Sequence, residues 1–125
     1  MRFNSIFAGV LAFLFMSMVP GRGHLKFDES FKDLGSIKQG GIETFSFSYS
    51  NTGDKKVRIS SVTALSSGVK IVPIKDSIID VNADAEIKIE FDTNKHAKGD
   101  FAFGVTVNSN ADNKEVKLKL FGVLE

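Results

Sequence analysis

Thr44-Phe45-Ser46-Phe47-Ser48-Tyr49-Ser50-Asn51-Thr52-Gly53 decides the fold. Aromatic rings hold every second position from 45 to 49, and small hydroxyl residues fill the places between. Period two belongs to an extended strand with one face buried, because successive side chains point to opposite sides of a sheet. The run stops at Asn51-Thr52-Gly53-Asp54, whose residue types tolerate the backbone of a tight turn. The same alternation returns at Ile87, Ile89 and Phe91, at Phe101, Phe103, Val105 and Val107, and at Val116, Leu118 and Leu120.

Shorter runs fill the intervals. Leu25–Asp28 and Phe31–Ile37 read as opening strands, followed by a turn at Gln39-Gly40-Gly41. Val57, Ile59 and Ser61 form the inward side of the strand after the Asn51 turn, and the pattern loosens from Val62 to Gly68. Val69–Val72 is a short strand that Pro73 confines to a sheet edge, since proline has no N–H for the ladder. Ile78–Val81 either extends that strand or reaches the core separately. Asn82-Ala83-Asp84 is a turn before the strand 86–92, Asn94–Asp100 is a polar loop, and Asn108–Asn113 is the last hairpin. The reading is all-β: an immunoglobulin-like antiparallel β-sandwich of seven to eight strands, preceded by an N-terminal signal helix.

That helix is read from the first residues. Met1-Arg2 supplies positive charge, Ile6–Met16 is apolar apart from Gly9, and Pro20-Gly21-Arg22-Gly23 breaks any helix. This is the order of a secretory signal peptide, with an exit near Gly23. The expected organisation is therefore residues 1–23 as signal peptide and residues 24–125 as the sandwich domain, in an extracytoplasmic compartment, periplasmic or secreted. An uncleaved anchor is the alternative, since Phe3–Val19 is at the lower length limit for crossing a bilayer.

Charge and composition narrow the function. Of the 125 residues, Arg2 and Arg22 precede His24 and no acid does, so the remainder carries 14 basic and 15 acidic side chains. Nothing in that balance draws nucleic acid, and Lys55-Lys56-Val57-Arg58 is a solvated hairpin end rather than a polyanion site. The absence of cysteine excludes disulfides, thiolate metal ligands and thiol nucleophiles.

Candidate chemistry is sparse. His96 lies in Lys95-His96-Ala97-Lys98, and a small hydrolase would pair it with Asp92 or Asp100, yet no nucleophile turn accompanies it. Asn108, Asn110, Asp112 and Asn113 offer oxygens to a Ca²⁺ ion, but without the twelve-residue loop pattern they read as turn chemistry. Phe45, Phe47, Phe91, Phe101 and Phe103 are spaced as sandwich core rather than as a ligand groove. Phe121 is out of phase with Val116, Leu118 and Leu120 and is the candidate hydrophobic contact residue. No catalytic residue, cofactor or metal is expected.

Five segments in order resemble the bacterial domain-of-unknown-function family 1573. Phe31-Lys32-Asp33-Leu34-Gly35-Ser36-Ile37 resembles its opening strand, and Phe45-Ser46-Phe47 through Asn51-Thr52-Gly53 its F-x-F-x-N-T-G strand and turn. Phe91-Asp92-Thr93 with Gly99-Asp100-Phe101 resembles F-D-T … G-x-F. Val107-Asn108-Ser109-Asn110 and Phe121-Gly122-Val123 resemble the closing segments. The resemblance implies an exported immunoglobulin-like module, distantly similar to major-sperm-protein, ASH and pilus-chaperone sandwiches. Many members carry a Cys-Gly-Cys element where this chain has Ala64-Leu65-Ser66-Ser67-Gly68-Val69, and Asn82-Ala83-Asp84 replaces a common Pro-Gly turn. The resemblance thus implies a fold and a role in binding an unidentified protein partner or in envelope structure. Whatever chemistry those cysteines perform is absent here.

Overall fold

The computed structural model describes residues 21–125. The signal helix and its apolar run lie outside the described residues. Nine strands form: β1 (Leu25–Phe27), β2 (Phe31–Ile37), β3 (Ile42–Asn51), β4 (Val57–Ala64), β5 (Val69–Ile71), β6 (Ile78–Ile79), β7 (Asp84–Asp92), β8 (Gly99–Ser109) and β9 (Glu115–Leu124), with one 3-10 turn at Thr93–Lys95. They make two sheets, one of four strands in the order β1-β3-β7-β5 and one of five in the order β2-β9-β8-β4-β6.

The strands are those whose alternation is cleanest. β3 pairs with β7 from Ile42↔Asp92 to Ser50↔Asp84, and β8 pairs with β9 from Gly99↔Leu124 to Asn108↔Glu115. Their inward positions supply the core: Phe47, Tyr49, Ile87, Ile89 and Phe91 from one sheet, and Phe103, Val105, Val107, Leu118 and Leu120 from the other. Each such side chain contributes roughly 1.5–3 kcal/mol by leaving water. Phe91 is central. Its ring meets Phe101 at 5.0 Å and Phe103 at 5.3 Å between centroids, the tilted and edge-on geometries that aromatic quadrupoles favour.

Three features depart from the pattern read in the sequence. The count is nine rather than seven to eight, because Pro73 splits the 69–81 segment. β5 ends on the edge of the four-stranded sheet, and β6 reaches the other sheet by pairing with β4 at Val57↔Ile79 and Arg58↔Ile78. Ser61 is exposed rather than inward, because β4 shifts register between Ile59 and Ser61. That bulge moves the inward phase to Val62 and Ala64 and carries the strand through a stretch whose alternation looked broken. Finally, β2 runs parallel to β9 while every other pair is antiparallel. After β1 the chain crosses at Asp28–Ser30 from one sheet to the other without reversing, so it arrives in the same direction as β9. Gly35, at φ +64°, gives β2 the bulge that separates its two paired stretches.

Gly21–Gly23 pack onto this sandwich. Arg22 donates its N–H to Asp54 Oδ1 (3.0 Å) and accepts from the Asp54 N–H (2.9 Å), and the Gly23 carbonyl accepts from the Asp112 N–H (2.8 Å). Among the described residues no helix is long and apolar enough to cross a membrane.

Candidate functional site

The alternation along β9 sends Leu118, Leu120 and Leu124 into the core and leaves Phe121 and Val123 on the outer face of the five-stranded sheet. Phe121 is half-buried there because Phe31 stacks on it, with centroids 6.4 Å apart and planes 24° from parallel. Phe31 itself is 61% exposed. It stands on β2, the edge strand, where parallel register sets Phe31 beside Lys119 and Asp33 beside Phe121. Lys119 Nζ reaches to 6.0 Å from the Phe121 ring centroid. Two rings rimmed by a lysine and an aspartate at a sheet edge form an amphipathic contact surface rather than a catalytic one. Phe31 is readable as a strand residue, but nothing local places it beside Phe121, because a parallel pairing such as β2–β9 leaves no local signature.

His96 is positioned by the 3-10 turn, which Asp92 caps by accepting the Asn94 N–H at 3.1 Å. Its ring packs edge-on against Phe91, 4.7 Å between centroids, and its Nε2 bonds the Ser67 carbonyl oxygen. The imidazole thus bridges a loop to the core. Neither Asp92 nor Asp100 forms an ion pair with it, and the serine atom it bonds is the Ser67 carbonyl oxygen, not a hydroxyl.

The Asn108–Asn113 hairpin binds the chain's own backbone. Asn110 Oδ1 accepts the Arg58 N–H (2.7 Å). Asn113 takes the Leu25 N–H on Oδ1 (3.1 Å) and donates Nδ2 to the Leu25 carbonyl (2.7 Å), which occupies the outer edge of β1 much as another strand would. Asp112 Oδ1 lies 2.6 Å from His24 Nδ1. That hydrogen bond, with the positive charge of Arg22 nearby, holds the Asp112 carboxyl below its ordinary 3.8. Among the described residues no three His, Asp or Glu side chains converge as metal ligands do.

Two buried polar residues complete the picture. Asn51 is 0% exposed and fully bonded: Oδ1 accepts from the N–H groups of His24 (3.2 Å) and Gly53 (3.1 Å), and Nδ2 donates to the carbonyls of Lys55 (2.7 Å) and Ile79 (3.1 Å). Gly53 is required beside it, since a Cβ there would lie 2.2 Å from the Arg22 carbonyl oxygen. Thr93, also 0% exposed, donates its hydroxyl to the Gly41 carbonyl (2.6 Å) and accepts from the N–H groups of Gly40 and Gly41 (3.0 Å each). The N-T-G and F-D-T segments therefore build internal clasps.

Residues 25–124 match the family described as "Protein of unknown function (DUF1573)". The chain belongs to that family. No curated protein matches it. Among solved structures, the DUF1573 chain is similar to a protein of unknown function from Porphyromonas gingivalis, at 18% identity and a TM-score of 0.72, over 82% of this chain and 47% of that one. It is similar to an ASH/PapD-like domain of human CEP192 at 12% identity and a TM-score of 0.66, over 83% of this chain and 87% of that one. It is also similar to the Vibrio cholerae VesB protease at 12% identity and a TM-score of 0.62, over 81% of this chain and 31% of that one. At such identities the likeness is one of fold, an immunoglobulin-like sandwich of the PapD-like kind. The DUF1573 chain spans about half the length of the P. gingivalis protein and a third of the protease.

Proposed function

We propose that this DUF1573 chain is an exported, non-catalytic binding module that engages another protein through the outer face at Phe31 and Phe121. One observation carries the reading: two stacked rings stand on the outside of a sheet, at its edge, where the fold makes no use of them. Burying such rings against a partner is a strong source of contact energy. The side chains with catalytic potential support it from the other direction, because His96, Asp92 and Asp112 are committed to internal bonds. The charged, apolar and helix-breaking order of residues 1–23 supports export, to the periplasm or beyond. Retention of that segment would make the same module a membrane-held component of the envelope.

Site-specific photo-crosslinking in cells tests this. A benzophenone side chain at position 31 is expected to give a discrete crosslinked protein that is lost on Phe121→Ser, while the same probe at the exposed Lys70, on the other sheet, does not capture it. Equal capture from both positions, or none from position 31, contradicts the reading. Sequencing the N-terminus of the cell-derived protein separates the exported form from the anchored one.

A further inference from the structure

β5 ends at Ile71, and the chain leaves the four-stranded sheet to reach β6 in the other one. The sheet edge it abandons is the first half of β7. β7 pairs with β3 along Asp84–Asp92, but β5 covers only Ile89–Phe91, and the last bond on that side runs from the Val72 N–H to the Lys88 carbonyl at 2.9 Å. Glu86, two residues before Lys88, turns its N–H and C=O to the same side by the alternation of an antiparallel ladder. Among the described residues no backbone partner meets them.

Between this bare edge and the crossing segment 72–80 lies a cleft of about 440 Å³, open on one side. That volume falls in the range of ordinary ligand sites. Tyr49, Ile74, Ile79 and Ala85 line its apolar part. Tyr49 is the telling residue. It is 1% exposed and stacks on Phe27 at 4.9 Å, yet among the described residues its hydroxyl has no hydrogen-bond partner. Nearly all buried polar atoms in folded proteins are paired, so an orphan beside a cleft calls for a partner from outside. Burial pushes the phenol above its ordinary 10.0, so at any physiological pH it is a donor.

We propose that this cleft receives an extended peptide segment of a partner protein, which adds as a strand to β7 at Asp84–Glu86 and presents an acceptor to the Tyr49 hydroxyl. A peptide fits better than a compact apolar ligand, because only a strand meets both the unpaired edge of β7 and the cleft beside it. Lys56 pairs with Asp80 (3.5 Å) and Lys88 with Glu86 (3.4 Å), which leaves Asp76 and Asp84 on the lining without an ion pair among the described residues, against Lys75, so the favoured segment is basic. The site is separate from the Phe31–Phe121 face, lies on the other sheet and stands or falls without it.

The test is selection of phage-displayed nine-residue peptides on the full chain as cells produce it, followed by fluorescence anisotropy of the enriched peptide. Basic sequences with β-forming residues are expected. Tyr49→Phe should weaken binding about tenfold while leaving Tm equal or higher, because no described residue of the free fold bonds that hydroxyl. Ala85→Leu, which fills the cleft without removing a bond, should abolish binding. The proposal is overturned if no peptide is enriched, if the enriched peptides bind both variants like the parent, or if Tyr49→Phe lowers Tm by several degrees.

Discussion

Asp112 shows how a single carboxylate in a turn serves the fold. Its partner His24 opens β1's approach, and the pair joins the segment just before β1 to the last hairpin. The His24 hydrogen bond lowers the folded-state pKa below the 3.8 of the unfolded chain. A depressed carboxylate pKa stabilises the fold above about pH 4, and that contribution disappears as pH falls through the folded value. Asp112→Asn should therefore be less stable than the parent near pH 6, and the gap should close as pH falls below 3.8 and through the folded value. Thermal unfolding of both proteins across that range checks it, and a gap independent of pH would show that the charge plays no part. At this scale the sequence spoke partially. The oxygens of Asn108–Asn113 were visible, but their partners, Leu25, His24 and Arg58, lie far away in the chain. Asn51 and Thr93 were more legible than their residue types suggest. Each stands two positions beyond an inward ring, Asn51 after Phe45, Phe47 and Tyr49, Thr93 after Ile87, Ile89 and Phe91, so the alternation itself placed them inside. Reading them by turn propensity alone hides that.

Elements were legible where period two held and obscure where it slipped. In β4 the inward residues run Val57, Ile59, then Val62, Ala64, and the odd step marks the bulge. The fate of Ile78–Ile79 depended on which sheet lay nearer after Pro73, a tertiary matter that no local pattern records. The turns are held by side chains from other elements. Thr93, at the end of β7, fixes the Gly40–Gly41 turn between β2 and β3 through three hydrogen bonds of one hydroxyl. Thr93→Val keeps the shape and removes the hydroxyl, which leaves the N–H groups of Gly40 and Gly41 without their acceptor, while the Gly41 carbonyl keeps the Thr93 backbone N–H at 3.0 Å. A loss of about 1–2 kcal/mol is expected in denaturant unfolding. Hydrogen exchange should quicken first at Gly40 and Gly41; an unchanged midpoint would mean that this turn holds itself.

In the whole molecule, fold and function draw on different residues. The core rings, the two polar clasps and the last hairpin hold two sheets together without a sulfur bridge. What remains for function is surface: the Phe31–Phe121 face on one sheet and the bare β7 edge on the other. This division explains why the fold could be read from the sequence while the function could not. Burial imposes a periodic pattern, whereas a contact surface imposes none. Asn51 is the sharpest point of the division, since its side chain ties β3 of one sheet to β6 of the other and to the approach of β1. It lies within the most recognisable segment of the chain, so it is the residue most easily mistaken for a functional one. Urea unfolding of Asn51→Ala measures this directly. Removal of the amide orphans two N–H groups and two carbonyls, and the predicted loss is about 3 kcal/mol with an unchanged denaturant slope, while the partner crosslinked from position 31 is still captured by the folded fraction. An Asn51→Ala protein as stable as the parent but unable to capture that partner would contradict the account, because the N-T-G segment would then be the binding site and not a clasp.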